Sequence, residues 1–185
     1  MYHNVSMDQK RLLLALSRHA ICDHLGIPFP RPKADDPLLK GEMYGSFVTL
    51  EIKGDLRGCI GYVEPVAPLG EQVRLCARSA AFQDPRFVPL GRNELDRVTI
   101  EVSLLLPPVD VTAFDEIEVG RDGLIVYNGG FHGLLLPQVA VDYGWDRDTF
   151  LSQTCWKAGL QKDAWKDPET IVQRFESIVF REEAE

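Results

Sequence analysis

The sequence lacks long hydrophobic runs, paired cysteines and clusters of basic residues. No apolar stretch approaches the roughly 20 residues of a membrane-spanning helix, and the polar start of the chain has no signal-peptide pattern. We therefore expect a cytoplasmic protein with no membrane partner. The cysteines at positions 22, 59, 76 and 155 form no Cys-x-x-Cys pair, so we expect reduced thiols rather than a disulfide framework.

The charge balance and the missing motifs argue against several further classes of protein. A net charge of −8 disfavours a nucleic-acid partner, because a phosphate backbone calls for a basic face. The nucleophile elbow, the P-loop, the zincin helix and the dinucleotide fingerprint are all missing. His19 and Cys22 share one face of a predicted helix, but zinc needs three or four ligands, so we predict no metal site. The sequence identifies no cofactor.

What is present is the composition of an ordinary globular protein. Hydrophobic residues make up 45% and charged residues 26% of 185 residues, which fits one domain over residues 1–185 with a substantial core. The patterns predict the order helix, hairpin, helix, strand, hairpin, two helices, strand. Strands joined by tight turns favour an α+β or mixed α/β fold over a doubly wound parallel sheet.

The periodicity of apolar residues and the turn signals give the bounds of these elements. Ser6 and Gln9 have the spacing of a capping box and Gly26 is a stop signal, which predicts a helix between them. The predicted helices cover 7–25, 69–82, 137–143 and 147–158, and the predicted strands lie within 41–53 and at 56–62, 98–106, 124–127, 131–136 and 171–180. The acidic residues 182–185 are predicted to be a frayed end.

The candidate site centres on Leu56-Arg57-Gly58-Cys59-Ile60-Gly61, the 56–61 hexapeptide, on the second strand of the first hairpin. Arg57 and Cys59 lie two residues apart and should share one face of the strand. A nearby guanidinium favours the thiolate, the nucleophilic form of cysteine. The alternative is a buried strand whose glycines only shape the sheet.

Four other positions could contribute polar groups to such a site. Glu101 lies mid-strand: on a central strand it is a candidate general base or a partner for Arg57, and on an edge strand it is a solvated charge. Asp84 and Arg86 favour a structural clasp, although Arg86 could also hold a carboxylate or phosphate. Lys157 suits the end of a helix or an anionic ligand. Cys76, in contrast, falls on the core stripe of its helix.

His132 is the one histidine outside the first helix and the N-terminal tail. It is therefore the imidazole that could pair with a thiolate as a nucleophile–base unit. Histidine at this position is not part of the family pattern described next, so the resemblance assigns His132 no role.

The 56–61 hexapeptide resembles the signature of the AMME-chromosomal-region domain family, also called AmmeMemoRadiSam system protein A. The resemblance continues in the same order through 80–87, 100–105, 120–124, 134–140, 150–151, Cys155 and 157–160. It implies a two-lobed α/β fold, with a mixed, largely antiparallel sheet flanked by helices and a cleft between the lobes. Neighbouring genes in this family often encode a Memo-like dioxygenase homologue and a radical SAM protein, which implies these two as partners.

Two hypotheses about function follow from the residues and the resemblance. In the first, the chain is an enzyme or enzyme component acting on a small molecule or a peptide. Cys59 is then the nucleophile and Glu101 the acid/base, and the substrate is bound by Arg57, Arg86, Gln138 and Lys157. In the second, the chain is a non-catalytic adaptor that docks on the Memo-like or radical SAM proteins, and Cys59 is inert. A Cys59→Ser change separates the two.

Overall fold

The computed structural model describes residues 5–33, 35–41 and 45–183. By its internal contacts the chain divides into two compact units. Unit 1 comprises Met1–Leu105 and Ile178–Glu185, and unit 2 comprises Leu106–Ser177. The sequence of unit 2 is therefore an insertion near the end of unit 1.

Four α-helices and eight strands form the framework of the described residues. In chain order they are α1 (Met7–Leu25), β1 (Gly45–Ile52), β2 (Asp55–Tyr62), α2 (Leu69–Phe82), β3 (Val98–Leu105), β4 (Val109–Asp110), β5 (Gly123–Asn128), β6 (Phe131–Leu135), α3 (Pro137–Asp142), α4 (Arg147–Lys157), β7 (Ile171–Phe175) and β8 (Ser177–Arg181). None of the helices described is long and apolar enough to cross a membrane. The predicted α+β fold is confirmed.

Helix α1 begins and ends at the predicted signals. The Ser6 hydroxyl accepts a hydrogen bond from the backbone N–H of Gln9, and the Gln9 side chain accepts one from the backbone N–H of Ser6. Gly26 ends the helix in the left-handed conformation, with φ of 65°, which glycine adopts without steric cost. The buried side chains of α1 include Leu13, Leu16 and Ile21, so the helix contributes a broad apolar face to the core.

The sheet of unit 1 has the strand order β2-β1-β3-β8. Strands β1 and β2 are antiparallel and are joined by Lys53 and Gly54, both at positive φ (56° and 84°), as in the tight turns that suit hairpins. One face of the sheet carries the fully buried Val48, Leu50 and Val102 and packs against α1 and α2. Because side chains alternate along a strand, the neighbouring polar residues lie on the opposite face.

Unit 2 has its own sheet, with the order β4-β7-β5-β6. Leu124 and Val126 of β5 pack in one core with Phe150, Leu151 and Cys155 of α4. Asp146 caps α4 by accepting a hydrogen bond from the backbone N–H of Thr149 at 2.8 Å, as its position before the helix predicts. The strands thus form two sheets, one in each unit, where the sequence predicted one.

The end of the chain differs from its prediction. Residues 171–180 were expected to form one strand, but Glu176 separates β7, in the sheet of unit 2, from β8, in the sheet of unit 1. The predicted frayed end is wrong at Glu182, which accepts hydrogen bonds from Arg18 of α1 at 2.7 and 2.5 Å. Residues 184 and 185 of that segment lie outside the described residues. Strand β4, only two residues long, carried no sequence signal.

Candidate functional site

The 56–61 hexapeptide lies on β2, at one edge of the unit 1 sheet. The pairing of β1 with β2 slips by one residue: Gly58 lies opposite Leu50, and Leu56 lies opposite Glu51. Arg57 is the extra residue of this β-bulge, and bulges re-aim side chains.

The bulge brings the guanidinium of Arg57 onto Glu94, which lies in the 3-10 helix Arg92–Arg97. The Arg57 Nε and Nη2 atoms donate to the two carboxylate oxygens of Glu94 at 2.9 and 3.1 Å. Both side chains are largely buried in this contact. The hydrogen bonds from Arg57 lower the pKa of Glu94, and a hydrogen bond from the Gly91 backbone N–H acts in the same direction. Arg57 therefore holds the 3-10 helix Arg92–Arg97 against β2.

The two glycines of the hexapeptide allow close approach of neighbouring groups. A Cβ added at Gly58 would collide with the carbonyl oxygen of Ala80 in α2, and one added at Gly61 would collide with the ring of Phe47. Both glycines therefore have a structural role, because a side chain at either position would clash with its neighbours. The strand is a half-buried edge strand, however, rather than a buried one.

Asp84 and Arg86 bind the outer edge of β2 at Cys59, an arrangement that we call the Asp84 clasp. The backbone N–H of Cys59 donates to Asp84 Oδ2 at 2.9 Å, and Arg86 Nη2 donates to the carbonyl oxygen of Cys59 at 3.2 Å. Arg86 also donates to both Asp84 oxygens, at 3.0 and 2.7 Å. The predicted Asp–Arg clasp is confirmed. It supplies the donor and the acceptor that a further strand would otherwise provide.

The electrostatics of the clasp keep Asp84 ionised. Its side chain is buried, and the guanidinium of Arg86 holds the pKa of the carboxyl well below its usual range. Hydrogen bonds from the backbone N–H groups of Cys59 and Arg86 act in the same direction. The role of Arg86 in substrate binding stays a prediction.

The thiol of Cys59 lies on the sheet face opposite the helices. Burial raises its pKa, and the charges of Asp84 and Glu101 act in the same direction. The Thr49 hydroxyl donates to Cys59 Sγ at 3.2 Å, and this bond and the Arg86 charge oppose the rise without cancelling it. The expectation that Arg57 activates Cys59 is therefore wrong, because Arg57 is held by Glu94 and burial dominates at the thiol.

Glu101 lies in the same cross-strand row as Cys59. Thr49 of β1 lies opposite Cys59 on one side and opposite Glu101 of β3 on the other, so all three side chains project from one face. Neighbouring strands are about 4.8 Å apart, which separates the Cys59 and Glu101 backbones by about 10 Å. The two residues predicted to be catalytic therefore share one surface, with Thr49 between them.

The carboxylate of Glu101 is bound by Arg181 of β8. Arg181 Nη2 and Nε donate to Glu101 Oε2 at 2.7 and 3.1 Å, and Nη2 also reaches Glu51 at 3.3 Å. Strand β3 is central in the sheet, so the edge-strand alternative for Glu101 is wrong. Arg57 as the partner of Glu101 is also wrong, since Arg181 takes that place.

The remaining candidates belong to unit 2. Gln138 and Lys157 are exposed, the first near the start of α3 and the second at the end of α4. His132 is an exposed residue of β6, opposite Tyr127. Cys155 is fully buried in the unit 2 core. The joint role of Gln138 and Lys157 with Cys59 stays a prediction.

Three polar residues of the site, Thr49, Glu94 and Arg181, were not predicted from the sequence. Thr49 could not be found by extending the hairpin register from the Lys53–Gly54 turn, because an unbroken register sets Thr49 opposite Gly58, and the bulge at Arg57 shifts it to Cys59. Glu94 and Arg181 carry no sequence signal that links them to Arg57 and Glu101, since both contacts are made between distant parts of the chain. Within the described residues, no group of three or more His, Cys, Asp or Glu side chains is placed to hold a metal ion.

Comparison with known proteins extends over nearly the whole chain. A protein of Methanothermobacter thermautotrophicus is 48% identical over 189 residues, with 98% of each chain covered. A Thermococcus kodakarensis protein is 49% identical over 162 residues, covering 82% of this chain and 79% of the relative. The crystal structure of an uncharacterised Pyrococcus horikoshii protein, 44% identical, matches with a TM-score of 0.80 and covers 92% of this chain and 90% of its own. The AMMECR1 family model matches residues 14–180. The chain therefore belongs to the AMMECR1 family, the family whose signature the 56–61 hexapeptide resembles.

Proposed function

We propose that the chain is a non-catalytic binding module that docks on partner proteins through the outer side of β2. The observation that carries the proposal is that the polar groups of the 56–61 hexapeptide serve the fold. Arg57 is bound by Glu94, the peptide groups of Cys59 are bound by the Asp84 clasp, and burial raises the pKa of the Cys59 thiol. A thiol in this state is a poor nucleophile, because the thiolate is the reactive form.

The proposed docking surface, which we call the clasp surface, consists of Leu56, Arg86, Phe87 and Val88. The centroid of the Phe87 ring lies 5.5 Å from Cζ of the exposed Arg86 and 5.9 Å from Cζ of the largely buried Arg57 beneath the surface. Val88 is 75% exposed and Leu56 is 43% exposed. Arginine and aromatic residues are enriched in protein interfaces, and exposed aliphatic side chains gain by burial there. The clasp fixes the surface before a partner binds, which limits the entropic cost of association.

The proposed partners are the Memo-like and radical SAM proteins that the family resemblance implies. Isothermal titration calorimetry with each purified partner from the same genome tests the proposal. Val88→Glu should raise Kd by about tenfold or more, the effect of losing one interface anchor of roughly 1.4 kcal/mol. Cys59→Ser should leave Kd within about twofold, since the serine keeps the backbone bonds to the clasp.

Val141→Glu is the matched control, because Val141 is 57% exposed on α3 in unit 2. It makes the same chemical change away from the clasp surface and should leave Kd unchanged. The docking proposal fails if neither partner binds, or if Val88→Glu and Val141→Glu weaken binding equally.

A second candidate function, thiol catalysis on a small molecule or peptide, is favoured by one contact. The Thr49 hydroxyl donates to Cys59 Sγ, and a donor to sulfur stabilises the thiolate. In this alternative Cys59 is the nucleophile and Glu101 the acid/base. The two residues flank Thr49 in one cross-strand row, the Thr49 row. Cys59→Ser would then abolish turnover of the substrate, whereas under the docking proposal it leaves Kd within about twofold.

A further inference from the structure

A cavity of about 490 Å³ opens in the helical layer of unit 1. It lies between α1, α2 and the 3-10 helix Pro37–Lys40. The lining residues are Leu16, Ala20, Asp23, Leu39, Lys40, Pro68, Gly70, Glu71, Arg74, Leu75 and Arg78. None of them belongs to the clasp surface or to the Thr49 row, and a volume of this size falls in the usual range for small-molecule sites.

The inner wall of the cavity is aliphatic. Leu16, Ala20 and Leu39 are buried, at 4%, 2% and 5% exposure, whereas Leu75 of α2 remains 38% exposed. The lining contains no aromatic residue, so it offers no ring on which a nucleotide base could stack. An aliphatic chain is the ligand group that such a wall suits, because burying it against leucine removes apolar surface from water.

The rim of the cavity carries three cations without an ion-pair partner in the part of the chain that the structure describes. These are Lys40, Arg74 and Arg78. Arg74 and Arg78 lie four residues apart on α2, so their side chains project from neighbouring positions on one helix face. Asp23 and Glu71 also line the cavity, which leaves the lining with one net positive charge on a chain of net charge −8. An anionic group is therefore favoured at this rim.

The cavity walls are held in place by contacts that need no ligand. Asp36 caps the 3-10 helix by accepting from the backbone N–H of Leu38 at 2.8 Å, and Gln9 of α1 donates to the same carboxylate at 3.1 Å. The backbone N–H of Leu69 donates to the carbonyl oxygen of Gly41 at 3.0 Å. The site is thus largely formed in advance, which favours binding of a small ligand.

We propose that this cavity binds a small amphiphilic anion, an aliphatic chain that ends in a carboxylate or phosphate group. The chain lies against Leu16, Leu39 and Leu75, and the anionic head group is bound by Arg74 and Arg78. Guanidinium groups bind carboxylates and phosphates through charge-assisted hydrogen bonds. The ligand is a free molecule in solution, because the cavity takes up one chain and its head group together.

Calorimetric titration with three amphiphiles that each carry a straight chain of ten carbons tests the proposal on the full-length protein. Decanoate should bind, while decanol and decyltrimethylammonium, which share its tail but not its charge, should bind at least about tenfold more weakly. Displacement of the fluorescent anion 1-anilinonaphthalene-8-sulfonate by decanoate gives a second readout. Shortening the tail to butyrate should also weaken binding, because less apolar surface is buried.

The double variant Arg74→Gln/Arg78→Gln removes the head-group site and should weaken decanoate binding by about tenfold or more. Its matched control is Arg31→Gln/Lys33→Gln, which removes the same charge from exposed positions of unit 1 outside the cavity lining. Leu75→Asn tests the tail site without touching the charge, and should also weaken binding. Thermal unfolding followed by circular dichroism checks that each variant is folded.

Three results would overturn the proposal. The first is equal binding of decanoate and decyltrimethylammonium, since the cations at the rim would then play no part. The second is an equal effect of the Arg74/Arg78 and Arg31/Lys33 double variants. The third is binding only to vesicles that contain anionic lipid, which would assign these cations to a membrane surface instead of a free ligand.

Discussion

Cys59 has a half-buried thiol, and its backbone N–H and carbonyl oxygen are both bound by the Asp84 clasp. Because burial raises the pKa of the thiol, we predict that iodoacetamide labels Cys59 more slowly in the folded protein than in the urea-unfolded chain at pH 8. The labelling rate should keep rising above pH about 8.5, the ordinary pKa of a thiol. Site-resolved mass spectrometry across pH 6 to 10 measures both effects.

An internal reference and a variant make this measurement more specific. Cys76 is an internal reference, since burial raises its pKa to about 11, and it should label after Cys59. Thr49→Val removes the hydroxyl that donates to the Cys59 sulfur and should slow the labelling of Cys59 further. If Cys59 instead labels at least as fast in the folded protein as in the urea-unfolded chain well below pH 8, the thiol is activated, and catalysis replaces docking as the better function.

At the residue scale, the sequence predicts chemistry well only where the partner is close along the chain. The clasp between Asp84 and Arg86 was predicted because the two residues are nearly adjacent. The partners of Arg57 and Glu101 were not, since Glu94 and Arg181 lie 37 and 80 residues away along the chain. The bulge that turns Arg57 toward Glu94 depends on how two strands pair, which a single strand pattern does not encode.

At the element scale, the Asp84 clasp closes the edge of β2 with side chains, and its energy depends on one carboxylate. We predict that Asp84→Asn destabilises the protein at pH 7 by about 1 to 3 kcal/mol, because the hydrogen bonds to a buried charge are weakened. Urea unfolding measures this change. The matched control is Asp148→Asn, whose pair with Arg147 lies in solvent and should contribute less than about 0.5 kcal/mol.

The same substitution has a defined pH dependence. The pKa of Asp84 is lowered in the folded state, so its contribution to stability is fully present above its unfolded pKa of about 3.9 and is lost as pH falls below that value. The stability difference between wild type and Asp84→Asn should therefore shrink between pH 5 and pH 3. An unchanged difference over that range would mean that the charge of Asp84 does not hold the clasp.

Elements with strong local signals were predicted closely. Capping residues and stop signals gave α1 its bounds, and Asp146 gave the start of α4, because these signals act within one helical turn. The sheets were less predictable. Residues 171–180 alternate as one strand would, and nothing local marks Glu176 as the point where the chain passes from one sheet to the other. That division is set by tertiary pairing, which overrides local preference.

At the scale of the whole molecule, the chain leaves unit 1 after β3 and returns to it with β8, so unit 2 is an insertion. The two ends of the insertion meet, because the backbone N–H of Leu106 donates to the carbonyl oxygen of Glu176 at 2.9 Å. Insertions with adjacent ends are tolerated well, since a short loop can replace them without moving the flanking strands. Unit 1 should therefore fold without unit 2.

We predict that replacing residues 107–175 with a loop of about four residues gives a protein that unfolds cooperatively in urea and shows dispersed amide resonances. The contrasting variant ends at Ser177 and lacks the rest of β8 and Glu182. It leaves Arg18, whose side chain is only 19% exposed, without its carboxylate partner, which costs roughly 3 kcal/mol or more for a buried pair. Unit 1 should thus tolerate the loss of 69 inserted residues, from 107 to 175, better than the loss of its short final strand. If the excised protein is molten and the truncated one is native, β8 is dispensable and unit 1 depends on unit 2 for its fold.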